Sequence, residues 1–373
     1  MKRLAYIDWM RGLACVLMFE DHCYNSWLSA EWQKTEFVRW SQILGTAPAP
    51  LFLFIAGVSV ALTTGRFREK GMTRNQILKH TSLRGGEVFG LGLVFRIQEY
   101  ALGHKWVPWT DLLRVDILNI LGLSIVFMGV VCWLASSANS EVARRRSQYF
   151  ALTMGVVVAL VTPPLWSTWR PRFLPWPLES YINGVHTFNQ PQHWLFPIFP
   201  WCAFAFIGLA TGFALFSPAA QKQESRSFLW IAAVGAAAIV LSIALDASPV
   251  RIYALEDYWH ASPSFFLLRC GMLLILLAIA YAWCQKGLGQ QRFSPVVQLG
   301  KTSLLVYWVH LELVYGRFSI LRKHECGLGK ATIGLAVIFL AMWALSLWRT
   351  EAKEAAIKVL PRQPQPASLV PVT

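Results

Sequence analysis

The first apolar stretch of the chain reads Ile7-Asp-Trp-Met-Arg-Gly-Leu-Ala-Cys-Val-Leu-Met-Phe-Glu-Asp-His-Cys, with ionisable side chains along its whole length. Asp8, Arg11, Cys15, Met18 and His22 recur at steps of three and four, which puts them on one stripe of a helix. At about 1.5 Å of rise per residue, Arg11 and His22 stand roughly 16 Å apart along that stripe. An imidazole preceded by two carboxylates, Glu20 and Asp21, is a candidate general base, since either carboxylate could orient the ring and raise its basicity. A histidine at a helix end is more often structural, but the shared stripe favours chemistry here. Asp8 and Arg11 also fit a plain i,i+3 ion pair near a membrane interface, with Arg11 snorkelling.

The elements that carry these groups must be membrane helices. The chain has 373 residues, 55% of them apolar and 14% charged, whereas soluble proteins carry about 25% charged residues. That composition excludes an ordinary cytosolic enzyme. Candidate spans of about 20 residues fall near 5–27, 47–65, 86–102, 115–136, 149–168, 194–216, 228–247, 264–284, 295–316 and 331–348. The fold class is an all-α, polytopic transmembrane bundle of about ten spans. With the N-terminus inside, most Lys and Arg, including Arg66, Arg68, Lys70 and Arg144 to Arg146, fall in cytoplasmic loops, so both termini are expected there. This bias accounts for most of the net charge of +14 without nucleic acid. The Pro- and Trp-rich segment from Trp169 to His193 reads as too broken for a helix and is expected at the membrane surface. Residues 1–348 form the membrane domain and 349–373 a cytoplasmic tail, disordered at its Pro361-Arg-Gln-Pro-Gln-Pro end. The first span lacks a small-residue cleavage site and is retained. Seven scattered cysteines suggest core residues and no metal site or disulfide framework.

Charge at bilayer depth costs at least about 2.5 to 3.5 kcal/mol per group, so such residues face the bundle interior. The third span holds Arg84 and Glu87 at its inner end and Arg96 and Glu99 in its outer half; the fourth opens with Arg114, Asp116 and Asn119. Arg269 lies near the outer end of the eighth, and Ser303, Tyr307 and His310 share a face of the ninth, with Glu312 beyond. The outer level thus gathers Glu20, Asp21, His22, Arg96, Glu99, Asp116, Asn119, Arg269, His310 and Glu312, and the inner level Asp8, Arg11, Arg84, Glu87 and Lys301. The expectation is a water-filled cavity open to the outside above a cationic vestibule. Proton transfer suits the outer level, and phosphates arriving from the cytoplasm suit the inner one. The glycines of Gly85-Gly-Glu-Val-Phe-Gly-Leu-Gly allow close helix packing and do not form a nucleotide loop.

Five segments carry a resemblance. Arg3-Leu-Ala-Tyr-Ile-Asp-Trp-Met-Arg-Gly-Leu-Ala, Pro50-Leu-Phe-Leu-Phe-Ile-Ala-Gly-Val-Ser, Arg114-Val-Asp-Ile-Leu-Asn-Ile-Leu-Gly-Leu, Phe199-Pro-Trp-Cys-Ala-Phe-Ala-Phe-Ile-Gly and Leu299-Gly-Lys-Thr-Ser-Leu-Leu-Val-Tyr-Trp-Val-His resemble the heparan-α-glucosaminide N-acetyltransferase catalytic family, over roughly residues 3 to 316. The resemblance implies acetyl transfer from cytoplasmic acetyl-CoA to a sugar amine or hydroxyl on the periplasmic side, in a bacterial inner membrane. Bacterial members of the family carry an Asp-His pair at the end of the first span, matched here by Asp21 and His22, whereas the lysosomal relative has an asparagine at the position of His22. On that pattern His22 is the general base in a direct transfer, and Asp21 or Glu20 orients it. Asp116, Asn119, Arg96, Glu99, Arg269, His310 and Tyr307 serve the acceptor; Asp8, Arg11, Arg84 and Lys301 serve the CoA phosphates. The partners implied are the lipid bilayer, acetyl-CoA as co-substrate and an amino-sugar or glycan acceptor, with a homodimer left open, no metal and no nucleic acid. The alternative is a transporter of a small polar solute or protons, for which the expected inverted repeat is not visible.

Overall fold

A computed structural model describes residues 4–103, 107–184, 196–249, 252–253, 257–285 and 294–359, with side chains to residue 355. The elements are α1 (Ala5–Trp27), α2 (Ala30–Gln33), α3 (Glu36–Gly45), α4 (Pro48–Glu69), α5 (Arg74–Gly103), α6 (Ile117–Leu134), α7 (Ser140–Ser167), α8 (Trp176–Ile182), α9 (Ile198–Leu215), α10 (Pro218–Lys222), α11 (Glu224–Ala247), α12 (Pro263–Gln285), α13 (Pro295–Lys301), α14 (Ser303–Val314) and α15 (Leu328–Val359). Among the described residues the only extended pairing is an isolated bridge between Leu28 and Cys326. Local chemistry sets several helix starts. Asn139 accepts from the amides of Glu141 and Val142 at the head of α7, and Ser294 accepts from Val297 N at the head of α13.

Seven of the described helices are long and apolar enough to cross a membrane. The three expected spans missing from that set are the first, third and ninth, those that carry the polar stripes. α1 and α5 are long enough, at 23 and 30 residues, but interrupted by charge, and α14 is a short apolar helix. α1 nonetheless lies at the centre, packed against α4, α12, α13, α14 and α15. Its stripe turns inward: Asp8 is 5% exposed, Cys15 0% and Met18 4%. All seven cysteines are buried and unpaired, as core residues should be.

Four details depart from the pattern read in the sequence. The third span begins at Arg74, a dozen residues before the expected 86, because its first turns are polar and escape a hydropathy reading. The ninth is broken at Thr302 into α13 and α14. The Trp169–His193 segment, read as too broken for a helix, contains α8: Pro175 sits at its N-cap and Pro177 in its first turn, where a missing N–H costs nothing. Residues 185–193 lie outside the described residues. The boundary set at 348 falls inside α15, which continues to Val359; the Pro361–Pro366 run lies outside the described residues.

Close helix crossings hold the bundle together. Where α1 meets α13, a Cβ on Gly300 would sit 1.8 Å from the Asp8 carbonyl oxygen, and one on Gly12 would sit 1.7 Å from that of Val296. Backbone touches backbone at that crossing, which only glycine permits. Gly57 with Gly208 brings α4 against α9 in the same way. Gly300→Ala should therefore force α1 and α13 apart and lower stability by about 1–3 kcal/mol, as overpacking does. A thermal melt of the detergent-solubilised variant checks this; an unchanged midpoint would mean that the two helices can separate freely.

Candidate functional site

Two polar centres lie on the stripe of α1. At its N-terminal end a cavity of about 1030 Å³ opens between α1, α4, α5, α13, α14 and the end of α15, at the upper limit of ordinary ligand pockets of roughly 300–1,000 Å³. Arg11, Arg84 and Lys301, the three cations expected to hold phosphates, all line it. Arg11 donates to Asp8 Oδ1 at 3.1 Å and to Ser59 Oγ at 2.7 Å, which fixes its guanidinium at the cavity wall. Asp8 itself is outside the lining and acts through Arg11. Arg84 bonds Glu87 on its own helix at 3.0 Å, and both remain exposed. The cavity adds His80, Arg349 and Lys353, with Ser303 as a hydroxyl donor and Glu354 as the one lining carboxylate. In the sequence Arg349 and Lys353 read only as cytoplasmic loop charge, and His80 had no reading. Their spacing held the signal: His80 and Arg84, like Arg349 and Lys353, are i,i+4 pairs, each on one helix face.

The second centre lies at the C-terminal end of α1. His22 Nδ1 is 2.9 Å from His310 Nε2, with the two rings 5° from parallel. His310 is fully buried, and its Nδ1 is 3.0 Å from the Val306 carbonyl oxygen. A carbonyl only accepts, so the proton is on His310 Nδ1 and, in the neutral ring, Nε2 carries a lone pair. His22 Nδ1 must then donate to it, leaving the lone pair of His22 on Nε2. That nitrogen faces Asp21 Oδ2 at 4.0 Å, and both side chains are 23% exposed. Phe19 and Tyr315 enclose the pair, with ring centroids 5.0 Å from His310 and 5.3 Å from His22.

Beside the histidines lies a buried ion pair. Arg96 Nη2 meets Asp116 Oδ2 at 2.9 Å, and Tyr307 donates to Asp116 Oδ1 at 2.9 Å. The Tyr307 ring is 5.9 Å from that of His310. Asp116 also caps α6, accepting from Leu118 N, while Asn119 Oδ1 accepts from Asp116 N in a reciprocal box and its Nδ2 donates to the Phe89 carbonyl. Asn119 is 0% exposed. Asp116 and Asn119, expected beside the acceptor, hold α6, α5 and Tyr307 in register through these contacts. The D-x-x-N spacing ahead of an apolar run was the signal for this cap. Glu99 lies beside Glu312 and Arg96, and Gln98 bridges the Glu312 carboxylate to Trp308. Tyr181 of α8, outside the spans, has its phenol pushed up to about 12, first by burial and then by the Asp116 carboxylate, so it stays a donor.

Two other expected members of the outer level have contacts of their own. Glu20 lies two residues before His22, about 200° round the helix, and bonds Ser41 of α3; of the two flanking carboxylates only Asp21 meets the imidazole. Arg269 stacks on Phe265 of its own helix at 4.1 Å. The expected open passage is also revised. Leu121, Ile125, Leu304 and Leu305 line the cavity, and neither His22 nor His310 is in its wall.

Against known families, residues 3–243 match the model of the heparan-alpha-glucosaminide N-acetyltransferase catalytic domain. That is well over half of the chain. The chain belongs to this family. The matched stretch takes in His22, Asp21, Arg11, Arg84, Arg96 and Asp116, and ends within α11. Lys301, Tyr307 and His310 lie beyond it and join the family's residues only through the fold. No curated protein matches the chain. Membership makes this a transmembrane acetyltransferase of the heparan-alpha-glucosaminide N-acetyltransferase type, several of whose helices are long and apolar enough to span a bilayer.

Proposed function

We propose that the chain transfers acetyl from cytoplasmic acetyl-CoA to a sugar amine or hydroxyl on the periplasmic side of a bacterial inner membrane, with His22 as general base. The observation that carries this reading is the placement, on one stripe of α1, of a cation-lined cavity at one end and an imidazole lone pair at the other. Arg11, Arg84, Lys301, Arg349 and Lys353 match the phosphates of CoA in sign, and Arg349 and Lys353 give the start of the cytoplasmic tail a role in that site. The N-terminal end of α1 is then cytoplasmic.

At the other end, His22 Nε2 and Asp21 Oδ2 are two acceptors facing each other across 4.0 Å. An amine with two N–H groups bridges them. As its nitrogen attacks the thioester carbonyl, His22 Nε2 takes its proton, the C–N bond forms, the C–S bond breaks and CoA leaves as thiolate, which is then protonated. His22 becomes an imidazolium, and its Nδ1–H bond to His310 becomes charge-assisted and stronger. His310, anchored by Val306, is therefore a positioning residue that selects the reactive tautomer. Between Ser303 at the cavity and His310 lie about two helical turns, or roughly 10 Å, and the arm of the thioester must thread past Cys15 and Met18. Met18, unbranched and pliable, can yield there.

The direct test is acetyl-CoA with glucosamine and purified protein. The reading expects N-acetylglucosamine and free thiol in equal amounts, together with a CoA-dependent rise in melting temperature, because a ligand bound only by the native state stabilises it. Neither product nor thermal shift would remove it. Within this reading, Lys301→Ala and Arg349→Ala should each raise KM for acetyl-CoA about tenfold with kcat little changed, the loss of one charge-assisted contact. A fall in kcat at constant KM would place these cations outside the donor site.

A further inference from the structure

α1 has a second face that the transfer chemistry does not use. Beside its outer half, α3 and α15 enclose a groove of about 810 Å³ walled by Leu17, Phe37, Trp40, Leu44, Phe339 and Leu340, with Glu20 and Ser41 set into it. Three observations constrain its occupant. The groove opens on the side the bundle gives to lipid: Ile333 and Leu340 on α15 are 69% and 54% exposed, and Trp40 on α3 is 67% exposed. Hydrocarbon, not water, meets such a surface. Next, Glu20 and Ser41, bonded to each other, set a polar spot into a wall whose other side chains are apolar apart from Thr332, at a depth where an ionisable group is costly. Finally, the groove shares walls with the histidine centre. Phe19 lines it and packs 5.0 Å from the His310 ring. The last residue of α3, Gly45, lies so close to Asp21 that a Cβ there would stand 2.5 Å from Asp21 Oδ1.

We propose that this groove seats the hydrocarbon chain of the acceptor, and that the acceptor is a lipid-linked amino sugar. The chain lies between α3 and α15, Glu20 and Ser41 meet the first polar atoms of the head, and the amino sugar turns over the end of α1 to reach Asp21 and His22. The inference rests on the acetyltransferase reading for its chemistry and on the groove for its substrate class. It gives α3 a purpose: a ten-residue helix, too short to span, that roofs a lipid chain next to the base.

The test uses purified protein in phosphatidylcholine nanodiscs, with radiolabelled dodecyl glucosaminide and free glucosamine as probes, and reads binding and acetylation separately. The expected result is binding of the dodecyl compound at least about tenfold tighter than glucosamine, with that advantage lost in Ala336→Trp, whose indole fills the groove from an exposed position on α15. KM for free glucosamine should not move in that variant. Equal binding of the two probes, or an Ala336→Trp protein that keeps the advantage, overturns the proposal and leaves the groove a contact for bulk lipid. Binding of the dodecyl probe without acetylation of either probe would instead sink the acetyltransferase reading while upholding the groove, so the two failures are distinct.

Discussion

Replacing His22 with alanine should lower acetyl transfer by about 10²- to 10⁴-fold, the usual contribution of a positioned general base, while the CoA-induced thermal shift stays at its wild-type size. The two readouts separate because Arg11, Lys301 and the other cations lie at the far end of α1. His310→Leu is expected to lose less, on the order of tenfold, since the imidazole of His22 survives but its tautomer is no longer selected by the Val306-anchored acceptor. His22→Gln distinguishes chemistry from packing: it keeps a donor toward His310 and should fold normally yet transfer no faster than His22→Ala. Full activity in His22→Ala would mean that the stripe ends in a structural histidine and that the base is elsewhere.

The largest effect on stability should come from Arg96→Met. Arg96 and Asp116 have side chains 9% and 8% exposed, and removing one partner of a buried pair costs about 3–5 kcal/mol because the other charge is left without its counterion. The Tyr307 hydroxyl and the Leu118 amide still donate to Asp116, and Arg114 lies close enough to feel it. The loss is therefore expected near the lower end of that range. The double variant Arg96→Met with Asp116→Asn should recover most of it, since an asparagine amide oxygen still caps α6 and accepts from Tyr307 without burying a charge. Thermal melts of the two singles and the double complete the cycle. If the double is as unstable as the sum of the singles, the pair does not act as a unit.

How legible this site was in the sequence depended on whether its signal was periodic. The α1 stripe could be read because residues three and four apart must share a face: Asp8, Cys15 and Met18 are buried, and Arg11 and His22 on the same face reach Ser59 and His310. The cavity lining was half legible: Arg11, Arg84 and Lys301 stood out as charges within spans, whereas His80, Arg349 and Lys353 belong to helices that run on beyond the apolar core, which a hydropathy reading truncates. Asp116 and Asn119 carried two signals at once: polar residues at membrane depth suggest ligand contacts, and the D-x-x-N spacing meets the open head of α6, whose amides need acceptors. The partner of His22 could be named only as a neighbour at the same level, because 288 residues separate it from His310 and no spacing rule reaches that far. Glu20 stands two residues before His22, about 200° round the helix, and so faces the groove beside α3.

The central claim, that one helix carries an acetyl group's donor site at one membrane face and its acceptor site at the other, is tested most directly in sealed proteoliposomes of fixed orientation. Labelled acetyl-CoA is supplied on the side of the Arg11 cavity and glucosamine only on the side of His22. The account predicts labelled N-acetylglucosamine on the glucosamine side, none when the two substrates are exchanged, and none from His22→Gln in either arrangement. Product formed only when donor and acceptor share a side would contradict it.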